Sequence, residues 1–169
     1  MIRRALLIAA VVLAWSGQAH AQSATASINL NGRVLAGTCT AQDINFTLPD
    51  IRADEVAASQ NSIGPIHDVE LVLTNCSGVG VVAMTFSGRP HVNDVGLWHN
   101  TAPNPAPGVA ISLRRKTPDD RIENGTRWAY VVYGSTFRFP MTVSYFRVNN
   151  DAPRQGGVAA AITVTLAFQ

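Results

Sequence analysis

The sequence lacks the features that mark most enzymes and membrane-spanning proteins. Its longest apolar run, residues 5–15, has eleven residues, whereas a helix that spans a bilayer needs about 20. It contains no Gly-x-Ser-x-Gly elbow, no His-Glu-x-x-His motif and no phosphate-binding glycine loop. After residue 21 no helical periodicity of useful length appears, and the best helix candidate, residues 52–59, is short. These absences argue against a hydrolase and against a dinucleotide-binding fold.

The N-terminus has the three parts of a bacterial secretion signal. Arg3 and Arg4 form a positive head, the apolar run follows, and Ala19-His20-Ala21 offers a small-x-small cleavage site. We therefore predict a signal peptide over residues 1–21, with a retained membrane anchor as the alternative. Cleavage after residue 21 leaves 148 of the 169 residues, the size of one ordinary domain.

The predicted mature chain has no excess of either charge. Two of the thirteen basic residues lie in the signal, so eleven basic residues remain against eleven acidic ones. The largest basic cluster is Arg114-Arg115-Lys116, which we interpret as a solvated patch beside a turn at Asp119-Asp120. Nucleic-acid-binding proteins usually carry a clustered basic face. The balance therefore predicts no nucleic-acid partner.

The chain offers few metal-binding or redox side chains. Cys39 and Cys76 are the only cysteines, and an even pair in an exported chain predicts a disulfide bond. Two thiols without supporting histidines would make a poor metal site. His91 and His99 could approach each other, but two loop histidines without a third ligand are more often solvated. We expect no cofactor and no metal.

Apolar alternation with a period of two residues recurs along the mature chain, between turn signals rich in Gly, Pro, Asn and Asp. This pattern predicts an all-β, antiparallel sandwich with no second domain. Residues 89–108, rich in Pro and Asn, are expected to form a long surface loop that contains Trp98. The predicted strands fall at residues 44–48, 69–73, 81–86, 109–113, 128–133, 137–148 and 158–168.

The segment that follows the signal has an apolar face of its own. Ile28, Leu30, Gly32 and Val34 point the same way in an extended chain, because strand side chains alternate between faces. We interpret this segment as an arm that leaves its own domain and fills a groove in another. The alternative is that residues 22–35 form the domain's own first strand.

Together these features resemble a chaperone–usher fimbrial (pilus) subunit of the type 1 pilin kind from Gram-negative bacteria. The alternating arm precedes Cys39, and the alternation of residues 69–73 leads into Asn75-Cys76. Gly156 is fourteenth from the last residue, and the penultimate residue, Phe168, is aromatic where the family usually has tyrosine. The resemblance extends over almost the whole mature chain.

The resemblance implies an incomplete immunoglobulin-like sandwich that lacks its last strand, with an N-terminal donor-strand extension. It divides the chain into a signal peptide (1–21), a donor-strand arm (22–36) and a pilin domain (37–169). The implied partners are neighbouring pilus subunits, a periplasmic immunoglobulin-like chaperone and an outer-membrane usher. Such a subunit would be exported through the periplasm into a surface fimbrium that serves adhesion. The residues implied to form the groove and to bind the chaperone are Gly156, Ile162, Val164, Leu166 and Phe168.

Two other functions remain open from the sequence. One is a single-domain minor tip subunit that binds a host glycan or protein receptor. The other, an exported hydrolase, lacks any arrangement of nucleophile and base.

Overall fold

The computed structural model describes residues 31, 33, 35–56, 63–148 and 152–169. The fold described below belongs to a compact unit of residues 34–169. The described part of the chain contains no α-helix, hence none with the length and apolarity needed to cross a membrane. The arm residues Ile28, Leu30, Gly32 and Val34 lie outside the described residues.

In the described residues, seven antiparallel strands form two sheets. The four-stranded sheet has the order β1-β2-β6-β4, and the three-stranded sheet has the order β5-β3-β7. The all-β sandwich predicted from the alternation is therefore confirmed. The strands are β1 (Thr38–Ala41), β2 (Ile63–Ser77), β3 (Val81–Gly88), β4 (Val109–Arg115), β5 (Arg127–Val131), β6 (Phe137–Arg147) and β7 (Ile162–Phe168).

The core lies between the inward faces of the two sheets, as the period of two requires. Val82, Met84 and Phe86 of β3 are fully buried and form one hydrophobic cluster with side chains from the opposite sheet. Phe86 packs against the rings of Trp128 and Phe139, with centroids 6.1 and 6.0 Å away. Burial of this aromatic group fixes which faces of the two sheets meet. The partners from the four-stranded sheet are Leu71, Leu73, Ile111, Leu113, Phe139 and Met141.

The predicted disulfide bond is present. Cys39 of β1 and Cys76 of β2 are joined, with their Cα atoms 4.1 Å apart. The bond ties the short first strand to the end of β2, where Thr38 pairs with Ser77.

Residues 89–108 form an irregular segment, as their composition predicts, but several of its side chains are buried instead of lying at the surface. Trp98 is 1% exposed and joins the main core, and its Nε1 donates a hydrogen bond to the Ile122 carbonyl at 2.9 Å. Leu97 is buried in a separate cluster with Ala110 and Phe146. The backbone of Trp98 also bridges to Ile111 of β4. The segment covers the outer edge of β4. Without it, the backbone of that edge and the apolar side chains beside it would face water.

Two strand predictions were also wrong in detail. Residues 44–48 alternate but form no strand, and the C-terminal strand begins at Ile162 rather than at residue 158. The described part of the helix candidate, residues 52–56, forms a turn closed by a hydrogen bond from Glu55 N to Arg52 O at 3.0 Å. Residues 44–48 have no neighbouring strand with which to exchange backbone hydrogen bonds, so their apolar alternation does not produce a strand.

Candidate strand-acceptor groove

Strand β7 is an edge strand of the three-stranded sheet. Strand β7 pairs with β3 along its whole length, from Gly88 opposite Ile162 to Val82 opposite Phe168, and with no other described strand. Its second edge therefore presents unpaired backbone N–H and C=O groups, which is the condition for accepting another strand.

The inward side chains of β7 are only half-buried. Ile162, Val164, Leu166 and Phe168 alternate with exposed residues and pack against the main core from its margin. Fully covered core residues of β3, by contrast, are inaccessible to water. Ile162, Val164, Leu166 and Phe168, which were predicted to form the groove strand, thus share one face of β7. That face is not fully covered by other described residues.

A groove of approximately 1040 Å³ runs beside the N-terminal half of β7. On its far side, Ile44 and Phe46 are 43% and 45% exposed, an unusual exposure for large apolar side chains in a folded domain. The floor belongs to the core and is apolar, with side chains contributed by both sheets: Val69, Phe86, Ile111, Leu113, Met141 and Val143.

Tyr145 anchors the wall of the groove formed by residues 49–56. Its hydroxyl donates a hydrogen bond to the Pro49 carbonyl at 3.1 Å, and its ring packs with Val56 in a small cluster. Burial, and then the nearby Asp50 carboxylate, raise the pKa of this hydroxyl, so it remains a donor at neutral pH. The groove wall is held by a buried contact although its backbone is irregular.

The charges of the groove are confined to its rim. Asp50, Arg52 and Asp54 lie on the wall and Arg154 lies opposite. Arg52 Nε is 3.1 Å from Asp54 Oδ1, and this hydrogen bond lowers the pKa of the exposed Asp54 carboxyl. An apolar floor with charges at the rim suits an occupant with one apolar face and one solvated face, which is the pattern of an edge strand.

Gly156 closes one end of the groove and lies outside β7. A Cβ atom on it would meet the backbone of the neighbouring loop, 2.5 Å from Ala106 Cα and 2.7 Å from the Pro105 carbonyl carbon. The next residue, Gly157, bridges to Pro105 and accepts a hydrogen bond from Ala106 N at 2.9 Å. Only a glycine permits this close approach of two backbones.

Asn100 organises this end of the groove, and the sequence analysis missed it. The side chain is buried, its Nδ2 donates to the Gly157 carbonyl at 2.8 Å, and its Oδ1 accepts from Ala159 N at 3.1 Å and Ala102 N at 3.2 Å. An asparagine in a Pro- and Asn-rich stretch resembles an ordinary turn residue. The partners 57 and 59 residues away could not be read from the sequence.

The other polar clusters singled out from the sequence have structural roles. Arg114 and Lys116 are paired with Asp119 at 2.5 Å and Asp68 at 2.6 Å, and Arg115 is paired with Asp120. The rings of His91 and His99 do approach, with centroids 6.0 Å apart. Within the described ranges no group of three side chains could hold a metal ion.

Comparison with known proteins identifies the class. Residues 28–169 match the family described as fimbrial protein. The chain belongs to this family. It is 30% identical over 174 residues to the protein FimG of Escherichia coli K12, covering 98% of this chain and 97% of FimG. The resemblance to a chaperone–usher pilus subunit is thereby confirmed, and with it export to an extracellular fimbrium.

Solved structures of fimbrial proteins share the fold. The P pilus rod subunit PapA superposes with a TM-score of 0.63 at 16% identity, over 78% of this chain and 99% of PapA. A type I fimbria protein of Burkholderia pseudomallei gives a TM-score of 0.56 at 26% identity, over 74% of this chain and 81% of that protein. The fimbrial protein thus has the sandwich architecture of pilins.

Proposed function

We propose that this fimbrial protein is a non-catalytic structural subunit that polymerises by donor-strand exchange. In this proposal residues 1–21 are a signal peptide, residues 22–36 are the donor arm, and residues 37–169 are the acceptor domain. The observation that carries the proposal is the apolar groove beside the unpaired edge of β7. A strand laid there would complete the ladder and cover the half-buried face of β7.

The arm has the chemistry that the groove requires. Ile28, Leu30 and Val34 offer three large apolar side chains on one face of an extended segment. Burial of such side chains contributes about 1.5–3 kcal/mol each, hence roughly 5–9 kcal/mol before the loss of chain entropy. Gly32, on the same face, would lie where the occupant's backbone comes closest to the groove.

The open groove also explains the need for a chaperone before assembly. Until an arm arrives, the unpaired edge and the exposed apolar side chains favour aggregation. A periplasmic chaperone would lend a strand to the groove, and at the outer-membrane usher the arm of the next subunit would replace it.

Deletion of residues 22–36 tests the proposal. The shortened chain should still form a chaperone complex and still accept another copy's arm, but it should be unable to donate one. Purification with the chaperone, followed by an assembly assay, measures both properties. A shortened chain that never reaches a chaperone complex would instead show that these residues are the domain's own first strand.

A synthetic peptide of residues 22–36 gives a second test with a matched control. The peptide should enter the groove of the chaperone-bound chain, and the Gly32→Val peptide should enter it more slowly because the added side chain needs space. Equal uptake of the two peptides would contradict the proposed position of Gly32.

A further inference from the structure

Exposed apolar side chains gather at the end of the sandwich where the arm leaves the domain. Leu35, just before β1, is 72% exposed, and Val131 and Tyr133, at the end of β5, are 53% and 84% exposed. We call these three residues the arm-exit patch. Single exposed apolar residues are ordinary, but three at one end of a small domain indicate a contact surface.

Backbone contacts bring the parts of the arm-exit patch to the same end. Gly37 lies against Gly78, so closely that a Cβ on Gly37 would collide with the Gly78 carbonyl. Val132 N donates a hydrogen bond to the Gly80 carbonyl at 3.0 Å. The segment before β1 and the turn after β5 therefore both meet the turn that joins β2 to β3.

The opposite end of the sandwich carries a second group of exposed apolar side chains. At this end β2 begins, β3 ends and β7 begins, since Gly88 pairs with Ile162. The ion pair between Arg121 and Asp94, at 3.1 Å, fixes the hairpin that projects here. The exposed side chains, which we call the far-end patch, are Ile63, Ile66, Val92 and Val95.

The flank between the two ends carries paired charges, whereas the ends carry exposed apolar side chains. On the outer face of the four-stranded sheet, Lys116 pairs with Asp68 and Arg138 pairs with Glu70, each at 2.6 Å. Paired exposed charges are typical of a solvated surface, whereas the centres of protein interfaces are depleted in charge. The apolar contact surfaces are therefore at the ends of the domain.

The length of the connection forces the bodies of two successive copies together. Only residues 35–37 separate Val34, the last residue on the apolar face of the arm, from Thr38, the first residue of β1. The four Cα–Cα steps from Val34 to Thr38 span at most about 14 Å. A copy whose arm fills a neighbour's groove must therefore place its arm-exit patch against the neighbour's surface.

The direction of the arm selects which end of the neighbour is met. All strand ladders in the described ranges are antiparallel, and antiparallel pairing is slightly the more stable. An arm antiparallel to β7 ends beside Ile162, at the far end of the accepting copy.

We infer that the arm-exit patch of one copy docks on the far-end patch of the copy that accepts its arm. The inference rests on the proposed donor-strand function. It adds an apolar contact between domain bodies, which sets the stiffness and stability of the filament independently of the arm.

A photo-crosslinking amino acid at position 133 tests the contact. It is introduced into the full chain, filaments are sheared from cells that assemble it, and crosslinked peptides are identified by mass spectrometry. Peptides that contain Val92, Val95 or Ile63 of a neighbouring copy are expected. Crosslinks to the neighbour's own arm-exit patch, to its charged flank, or to no neighbour would overturn the inference.

A charge introduced at the arm-exit patch tests the contact between domain bodies separately from donor-strand exchange. Tyr133→Asp should lower the yield of filaments about tenfold, the usual consequence of losing a central interface tyrosine. Ala129→Asp adds the same charge to the exposed face of the same strand, two pairs from the end, and should assemble normally. An equal yield from both variants would refute the docking of the patch.

Uptake of the arm peptide by the Tyr133→Asp chain completes the design. Normal uptake with reduced assembly supports the body contact. If the unmodified chain itself takes up no peptide, the donor-strand function fails, whatever the crosslinks show.

Discussion

Replacement of Gly156 by alanine should disturb the closed end of the groove. The added Cβ would lie 2.5 Å from Ala106 Cα and 2.7 Å from the Pro105 carbonyl carbon, and backbone atoms cannot move aside as the tip of a side chain can. One of the two segments must therefore shift. Overpacking of this kind typically reduces the free energy of unfolding by about 1–3 kcal/mol.

Gly64→Ala is the matched control for this experiment. Its Cβ would meet only ordinary contacts, 3.4 Å from Tyr145 Cβ and 3.5 Å from the Tyr145 carbonyl oxygen. Both substitutions also stiffen the unfolded chain, which by itself stabilises by about 0.4–1 kcal/mol. The difference between the two variants therefore isolates the collision at Gly156.

The assay is urea unfolding of the full mature chain, followed by tryptophan fluorescence, together with uptake of the arm peptide. Gly156→Ala should unfold at a lower urea concentration than Gly64→Ala and should take up the peptide more slowly. If the two variants unfold at the same concentration, the close approach of Gly156 and Ala106 does not constrain the domain, and the reasoning is refuted.

Three further predictions concern the sheet edge, the disulfide and pH. Phe168→Ser should lower the free energy of unfolding by about 2–3 kcal/mol, because the ring is half-buried against the core. The variant should also fail to co-purify with its chaperone. Normal accumulation of the variant would contradict the prediction. Joint replacement of Cys39 and Cys76 by serine should cost about 4 kcal/mol in the chain-entropy model for a separation of 37 residues, measured by thermal unfolding against the oxidised parent. Burial, and then His99, lower the pKa of His91, so the folded state resists its protonation and stability should fall as the pH drops below about 6.5. His91→Gln should flatten that decline, and an unchanged pH profile would exclude His91 as its source.

The class of the fold and the disulfide bond follow from local features of the sequence. Strands β2, β3, β4 and β6 were predicted because alternation with a period of two is a local property, visible wherever one face of a strand is buried. The bond between Cys39 and Cys76 was predicted because they are the only two cysteines and the predicted signal peptide directs the chain to an oxidising compartment.

Whether a segment with apolar alternation becomes a strand depends on its neighbours in the folded domain. Residues 44–48 have the pattern but no neighbour to pair with, and they become one wall of the groove. Trp98, in a stretch with loop composition, is buried because β4 would otherwise be an open edge. Asn100 contacts Gly157, and Gly156 contacts Ala106, across sequence separations that no local pattern encodes. Burial and strand pairing depend on which segments come together in space, and residues that lie far apart in the sequence meet there without any local pattern to announce it.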